Sequence, residues 1–257
     1  MPGNRITELP SNTSPLTTDV LPLIDIGTTA SEKITIANLL TLFVSNVVVQ
    51  TLIATGTYTP TTGMKKCLAL LVAGGGGGAG GYNTDSAGGG GGGGGSAIKL
   101  FTAADIGASK AFTIGAAGAA SNGVTAPTAG GDTYIGAAGS EILKATGGGA
   151  GTMGTGWSSG VYLYAAGGAG GIGTLGDLNM NGSPGEKGII WSGTNGWGGA
   201  GGGSLFGNGG LQPAVNTAGV DGNGYGSGGG GGHASAVTDK NGGAGKIGII
   251  YIIEFLG

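Results

Sequence analysis

The rhythm of apolar and polar positions divides this chain of 257 residues into three zones. Residues 1 to about 45 have an ordinary alternation with almost no glycine. Within them, Ile6-Thr7-Glu8-Leu9-Pro10 and Val20-Leu21-Pro22-Leu23-Ile24-Asp25 read as short extended segments. After Glu32-Lys33-Ile34-Thr35, the residues Ile36, Leu39, Leu40, Phe43 and Val47 fall at i, i+3, i+4, i+7 and i+11. That spacing predicts one face of a helix, with Thr35 as its N-cap. So small a module cannot bury much surface alone, and its apolar faces are expected to meet copies of itself or a partner.

From about residue 47 to 145, short apolar runs lie between glycine tracts. They predict strands at 65–72, 96–101, 110–114, 132–135 and 141–145. Thr102-Ala103-Ala104-Asp105-Ile106 has the makings of a single helical turn, and Thr57-Tyr58-Thr59-Pro60 before Thr62-Gly63 reads as a strand and a turn. From 146 to 245 the chain is mostly glycine with short inserts. It closes on Lys246-Ile247-Gly248-Ile249-Ile250-Tyr251-Ile252-Ile253-Glu254-Phe255. This strongly β-branched strand is apolar at successive positions, which predicts burial on both faces.

Composition sharpens this picture. Glycine supplies 67 of the 257 residues, whereas charged residues are only 9% and the net charge is -3. Nothing in that balance favours nucleic acid or an anionic membrane surface as a partner. Disordered chains are typically charged and poor in apolar residues, but here 39% of residues are hydrophobic. Collagen is excluded, because only Gly182-Ser183-Pro184-Gly185-Glu186-Lys187-Gly188 follows its triplet period, and briefly. Residues 34–54 carry no charge, but Thr35, Asn38, Thr41, Ser45, Asn46, Gln50 and Thr51 interrupt them. They read as helix and connector rather than as a membrane span. The single cysteine, Cys67, lies in an apolar run and is expected to pack as a small hydrophobe. The first ten residues lack the apolar core of a signal peptide, which fits assembly in a cytoplasm.

The main glycine runs are 74–78, 88–95, 147–149, 201–203 and 228–232. Ordering a glycine costs roughly 0.5–1 kcal/mol more than ordering an alanine, so ordered runs need a compensating interaction. Extended glycine can form a polyproline-II-like helix with three residues per turn, and unlike proline it keeps its N–H. Without side chains such helices can pack backbone to backbone, each bonding sideways to its neighbours, as buried backbone requires. The alternative is mobile linkers. The recurrence of apolar or aromatic inserts after the tracts favours packing.

Catalytic signals are weak, and the chain is expected not to be an enzyme. Matches to GxGxxG arise from the glycine content alone, and Gly245-Lys246 fails as a phosphate loop because Ile247 stands where Ser or Thr is needed. One histidine and one cysteine cannot build an ordinary zinc site, so neither metal nor cofactor is expected. His233 lacks the setting of a catalytic triad, and Asp177, Glu186 and Asp221 are sparse candidates for glycoside cleavage. What remains is a set of aromatic inserts: Tyr82, Trp157, Tyr162, Tyr164, Trp191, Trp197, Leu205-Phe206 and Tyr225, with His233 among them. Trp and Tyr offer large, stiff, amphipathic surfaces suited to recognising sugars or proteins. The competing reading is that they cover the bundle or fill an interface between copies.

Several stretches resemble glycine-rich bacteriophage tail-fibre and receptor-binding proteins. At the N-terminus these are Ile6-Thr7-Glu8-Leu9-Pro10, Asp19-Val20-Leu21-Pro22-Leu23-Ile24-Asp25 and Glu32-Lys33-Ile34-Thr35-Ile36-Ala37-Asn38-Leu39-Leu40. Further on they are Ala54-Thr55-Gly56-Thr57-Tyr58-Thr59-Pro60, Gly130-Gly131-Asp132-Thr133-Tyr134-Ile135-Gly136-Ala137 and the closing strand. The resemblance implies an elongated homotrimer, mainly β, with a polyglycine-II bundle and a small mixed attachment module. It implies a module at 1–46 that grips a tail or baseplate protein through Ile6, Leu9, Leu21, Leu23, Ile24, Ile36, Leu39 and Leu40. A β-rich neck at 47–145 and a glycine-rich distal domain at 146–257 would follow. The particle-borne protein would bind a host-surface polysaccharide or outer protein without covalent chemistry. Its rivals are a purely structural virion fibre or decoration protein, an ice-binding or matrix protein, and a tail-spike hydrolase. The chain departs from glycine-rich tail-tip adhesins in having its own N-terminal head and interspersed β segments.

Overall fold

A computed structural model describes residues 20–24, 31–35, 47–82, 85–122, 125–154, 156, 162–235 and 238–257. The chain is mainly β. In order, its strands are β1 Val20–Ile24, β2 Ser31–Thr35, β3 Val47–Leu52, β4 Gly56–Tyr58, β5 Met64–Val72, β6 Ser86–Ala87 and β7 Ser96–Thr102. A single helical turn, α1 Ala103–Ile106, precedes β8 Lys110–Thr113, β9 Thr133–Ala137, β10 Ser140–Ala145, β11 Leu163–Ala165 and β12 Gly173–Thr174. The last are β13 Leu178–Met180, β14 Gly188–Ser192, β15 Asn195–Trp197, β16 His233–Ala234 and β17 Ile249–Leu256. All the strands expected between residues 57 and 145 are present, as is the turn of helix. Thr102 caps α1: its side chain accepts from the Asp105 N–H, while the Asp105 carboxylate accepts from the Thr102 N–H at 2.8 Å.

β1 and β2 form an antiparallel hairpin, with Val20 opposite Thr35 and Ile24 opposite Ser31. Of the residues assigned to virion attachment, Leu21, Leu23 and Ile24 lie on β1; Ile6, Leu9, Ile36, Leu39 and Leu40 fall outside the described residues. The expected helical stripe also lies outside them, except for Val47. That residue opens β3 instead, because it pairs with Phe255 of the C-terminal strand. Among the described residues, no helix is long and apolar enough to cross a membrane.

Two five-stranded sheets share one core. The first has the order β13-β7-β5-β17-β3 and the second β12-β10-β9-β8-β4. Cys67, Ala69, Leu71, Phe101, Ile250 and Ile252 of the first pack with Tyr58, Phe112, Ile135 and Leu143 of the second. Strands from before and after residue 145 thus pair within both sheets. Cys67 is fully buried, as a small hydrophobe would be, and burial pushes its thiol pKa upward. β17 departs from the expected double burial. Ile250, Ile252 and Glu254 face the core, whereas Tyr251, Ile253 and Phe255 on the alternate face keep solvent contact.

Glu254 is a carboxylate with no solvent exposure, inside an apolar strand. It accepts hydrogen bonds from the Tyr58 hydroxyl at 2.5 Å, from Gln50 Nε2 at 3.0 Å and from the Thr61 N–H at 3.2 Å. Burial works to raise its pKa, but the bonds from Thr61, Tyr58 and Gln50 outweigh burial and hold it below the usual range. Burial, followed by the bond to Glu254, drives the Tyr58 phenol well above its ordinary value. This network ties the C-terminal strand to β3, β4 and the turn after β4. Tyr58→Phe removes the shortest of these bonds and is expected to cost about 1–3 kcal/mol in urea denaturation.

Beyond the sandwich the chain runs as glycine-rich rows that bond sideways to one another. The N–H groups of Gly88, Gly91 and Gly94 donate to the carbonyls of Gly232, Gly229 and Gly226. Those of Gly89, Gly92 and Gly95 donate to Thr152, Gly149 and Thr146, and those of Gly90 and Gly93 to Glu186 and Ser183. Successive donors thus point in three directions, returning after every third residue. The carbonyls behave alike: Gly89, Gly92 and Gly95 accept from Ala79, Gly76 and Ala73; Gly90 and Gly93 from Gly168 and Gly171; Gly88 and Gly91 from Gly199 and Gly202. Row 88–95 is therefore enclosed by six others. Rows 73–79 and 226–232 adjoin it and each other, since Gly229 and Gly232 donate to Gly76 and Ala79. The packing needs glycine sterically: a Cβ on Gly90 would lie 2.0 Å from the Ala200 carbonyl oxygen, and one on Gly91 2.2 Å from that of Gly76.

The rows have two poles. At one, Ala73 donates to Gly95 and Gly226 to Ile247, beside β5, β7 and β17 of the sandwich. At the other, Gly88 donates to Gly232 and Gly199 to Gly88, next to β6, β14 and β16.

Candidate functional site

At the pole away from the sandwich, β11, β14 and β15 form a three-stranded antiparallel sheet of order β11-β14-β15. Tyr164 pairs with Ile189, and Ile189 with Trp197. These three side chains form one row across the sheet, and they are 69%, 39% and 45% exposed. Strand alternation puts Tyr162 and Lys187 on the same face, and the Trp191 ring, at an irregularity of β14, joins them by its contact with Trp197. On the opposite face Ala165, Gly188, Ile190 and Gly196 are buried against the glycine rows. The glycines there explain the orientation. A Cβ on Gly188 would lie 2.4 Å from the Gly88 carbonyl oxygen, and one on Gly196 2.5 Å from that of Ile189. Small residues, Ile190 and its partner Leu163 take the inner side, so the large rings point outward.

The outward face is organised. The Trp191 and Trp197 rings meet edge to face with centroids 4.5 Å apart, and Lys187 Nζ stands 4.8 Å from the centre of the Tyr164 ring. The two-residue turn Gly193-Thr194 joins β14 to β15, braced by Asn195 Nδ2 donating to Ser192 Oγ at 2.9 Å. Tyr162 is 75% exposed beside this face. The site combines flat rings, one ammonium group and amide and hydroxyl groups at its rim. That chemistry is suited to noncovalent stacking and hydrogen bonding.

The structure thus gathers Tyr162, Tyr164, Trp191 and Trp197 from the aromatic inserts. Tyr82 is exposed at the same pole, next to β6, where Ser86 Oγ donates to its carbonyl at 2.6 Å. Trp157 lies outside the described residues. Tyr225 sits elsewhere, near the sandwich; its carbonyl accepts from Ser204 Oγ, and the neighbouring Phe206 meets the Tyr251 ring edge to face at 5.4 Å. His233 differs from its expected role as a surface contact. It has no solvent exposure, because β16 pairs with β6 beneath the aromatic sheet. Its Nδ1 accepts from the Asn216 N–H at 3.0 Å, and its Nε2 is buried without a partner, facing Gly196. Burial lowers its pKa, opposed by the negative charge of Asp85.

Ile189 and Lys187 are site residues that aromatic character does not mark. The alternation of Gly188, Ile189, Ile190 and Trp191 beside a glycine tract carries the signal for Ile189. Of the sparse carboxylates considered for glycoside cleavage, Asp177 and Asp221 are engaged structurally and Glu186 is exposed. Asp177 accepts from the Leu100 N–H at 3.0 Å, and Asp221 pairs with Lys246 at 3.3 Å. Among the described residues, no group of three or more His, Cys, Asp or Glu stands together to hold a metal ion.

A β-sandwich bearing sideways-bonded glycine rows and capped by an aromatic sheet defines a glycine-rich β protein. The chain belongs to the glycine-rich domain family, whose model matches residues 51–253. That span runs from β3 to β17 and takes in both sheets of the sandwich, the glycine rows and the aromatic sheet. No curated protein matches the chain.

Proposed function

We propose that this chain is a bacteriophage tail-fibre receptor-binding subunit, held on the virion by its N-terminal segment and noncatalytic. The glycine rows act as polyglycine-II helices, rigid spacers of about 3.1 Å per residue that hold the aromatic sheet away from the anchored end. The assembly is a homotrimer, so several weak sites on each fibre act together through avidity. The observation that carries this reading is the exposed row Tyr164, Ile189 and Trp197 at the pole opposite the sandwich. The N-terminal segment enters at Val47, which pairs with Phe255 at the end of β17 remote from the glycine rows. Resemblance of the N-terminal stretches to virion-attachment heads adds to it.

The test is adsorption of purified fluorescent protein to a panel of bacterial cells, alongside adsorption of particles lacking it. Trp191→Ala with Trp197→Ala is expected to weaken cell binding at least tenfold, the loss of about 1.4 kcal/mol or more that truncating a buried aromatic anchor brings. Circular dichroism should remain unchanged, since both rings lie on the outer face. Absence of binding by the intact protein, together with normal adsorption of particles lacking it, would leave a purely structural fibre instead.

A further inference from the structure

The outer face of the sheet β13-β7-β5-β17-β3 is apolar and, among the described residues, is met by Phe206 against Tyr251 while its flanks stay open. Register aligns Val49, Ile253, Leu68 and Leu100 in one row and Thr51, Tyr251, Leu70, Ile98 and Leu178 in the next. Val49 is 58% exposed, Leu100 48% and Leu178 53%. Between them lies a shallow concavity of about 280 Å³ lined by Val49, Leu68, Leu70, Phe206, Tyr251 and Ile253. Charge is confined to one end of these strands, where Lys66 lies in the outermost row beside Phe255 and Lys65 sits at the adjoining irregularity of β5.

The edge of the same sheet is likewise open among the described residues. β3 pairs with β17 on one side only, and its sequence Val47-Val48-Val49-Gln50-Thr51-Leu52 has no charge and no proline. Natural sheets guard a free edge with lysine, proline or a bulge, or else cover it. A free uncharged edge bordering an apolar face therefore calls for a covering partner.

We propose that this face and the β3 edge form the interface between copies of this chain. Its size agrees. Four strand spacings of about 4.8 Å and a strand length near 20 Å give a footprint of roughly 400 Å², and protruding Val, Leu and Phe side chains roughly double its accessible area. That is about the 800 Å² per partner of a standard stable interface, and above what soluble monomers leave as one apolar patch. Its shape agrees as well, since Val47, Leu100 and Leu178 project beside a concavity that takes such side chains. Continuity points to the same occupant: copies joined here bring their N-terminal segments together at Val47. This deepens the assembly part of the function proposed above, and it names the surface that carries assembly.

The test uses the full chain in analytical ultracentrifugation at micromolar concentration. The wild type is expected at a multiple of the 24.2 kDa chain mass. Val49→Glu with Leu100→Glu is expected to sediment as a single folded chain, and Leu211→Glu, at another exposed apolar position, to leave the assembly intact. A nitroxide on Leu100→Cys gives a second measurement that needs no destabilising charge, because the native Cys67 is buried and does not compete for label. Dipolar coupling between copies is expected, vanishing on dilution with unlabelled chain. A monomeric wild type, or an assembly that survives the double substitution and shows no coupling at position 100, would overturn the proposal. A chain that assembles through this face yet binds no cell leaves it standing and removes only the receptor reading.

Discussion

Gly92→Ala is expected to lower the thermal midpoint by on the order of 10 °C, through a loss of at least about 3 kcal/mol in a domain of this size. The added Cβ would lie 2.0 Å from the Ala169 carbonyl oxygen and 2.6 Å from its carbon. These are backbone atoms of a neighbouring row, so no rotamer change relieves the clash. Row 166–171 would have to move, yet its Gly168 and Gly171 N–H groups donate to Gly90 and Gly93. Moving it breaks bonds whose groups are buried, and each unsatisfied group costs about 1–3 kcal/mol. The informative control is Gly203→Ala. Gly203 belongs to an adjoining row, but its nearest prospective contact is the Gly207 carbonyl oxygen at 3.4 Å. That substitution is expected to be neutral within about 0.5 kcal/mol, as an unclashing surface change is. Mobile linkers would show no difference between the two, so equal midpoints would refute row packing. Calorimetry on the two variants decides it.

The strands of the sandwich were legible because alternation survives wherever side chains pack between two sheets. Lys65 to Val72 reads as a strand for the same reason that Cys67, Ala69 and Leu71 end on one face. The packing of the glycine tracts was legible from the apolar and aromatic inserts that recur after them. Their order was not, because the three-residue bonding register depends on which row lies beside which, and glycine carries no side chain to mark a partner. β17 differs from its expected double burial for a different reason. Tyr251, Ile253 and Phe255 are as apolar as Ile250 and Ile252, so periodicity cannot tell the core face from the outer face. Glu254 was the available clue, since a carboxylate in such a strand needs partners on its own side. The aromatic inserts separated only in three dimensions. Trp191 and Trp197 flank a hairpin and stay together, while Tyr225 and His233 lie in equally glycine-rich surroundings and end beside the sandwich and beneath the aromatic sheet.

His233 makes the aromatic pole sensitive to mild acid. Its Nδ1 accepts the Asn216 N–H, so the neutral ring carries its proton on Nε2, which is buried with no acceptor. Protonation would place a second proton on Nδ1, expel the Asn216 bond and leave a cation beneath the sheet. Asp85 is the charged group whose field reaches the ring, and burial outweighs it, so the folded-state pKa lies below that of the unfolded chain. The unfolded state then binds more protons, and stability rises with pH. His233's contribution is complete above about pH 6.5 and falls by up to about 1.4 kcal/mol per unit as pH drops toward the folded-state value. Urea midpoints measured between pH 5 and 8 should follow that slope. The lower limit keeps most carboxylates, Glu254 among them, ionised throughout. His233→Asn keeps an acceptor near the Nδ1 position for the Asn216 N–H and removes the titration, so its midpoint is expected to stay flat across the same window. A wild-type midpoint that is itself flat, or a slope that survives in His233→Asn, would assign the pH response to another group. If the slope is present and cell binding fades over the same window, then the buried ring controls the sheet that carries Trp191 and Trp197.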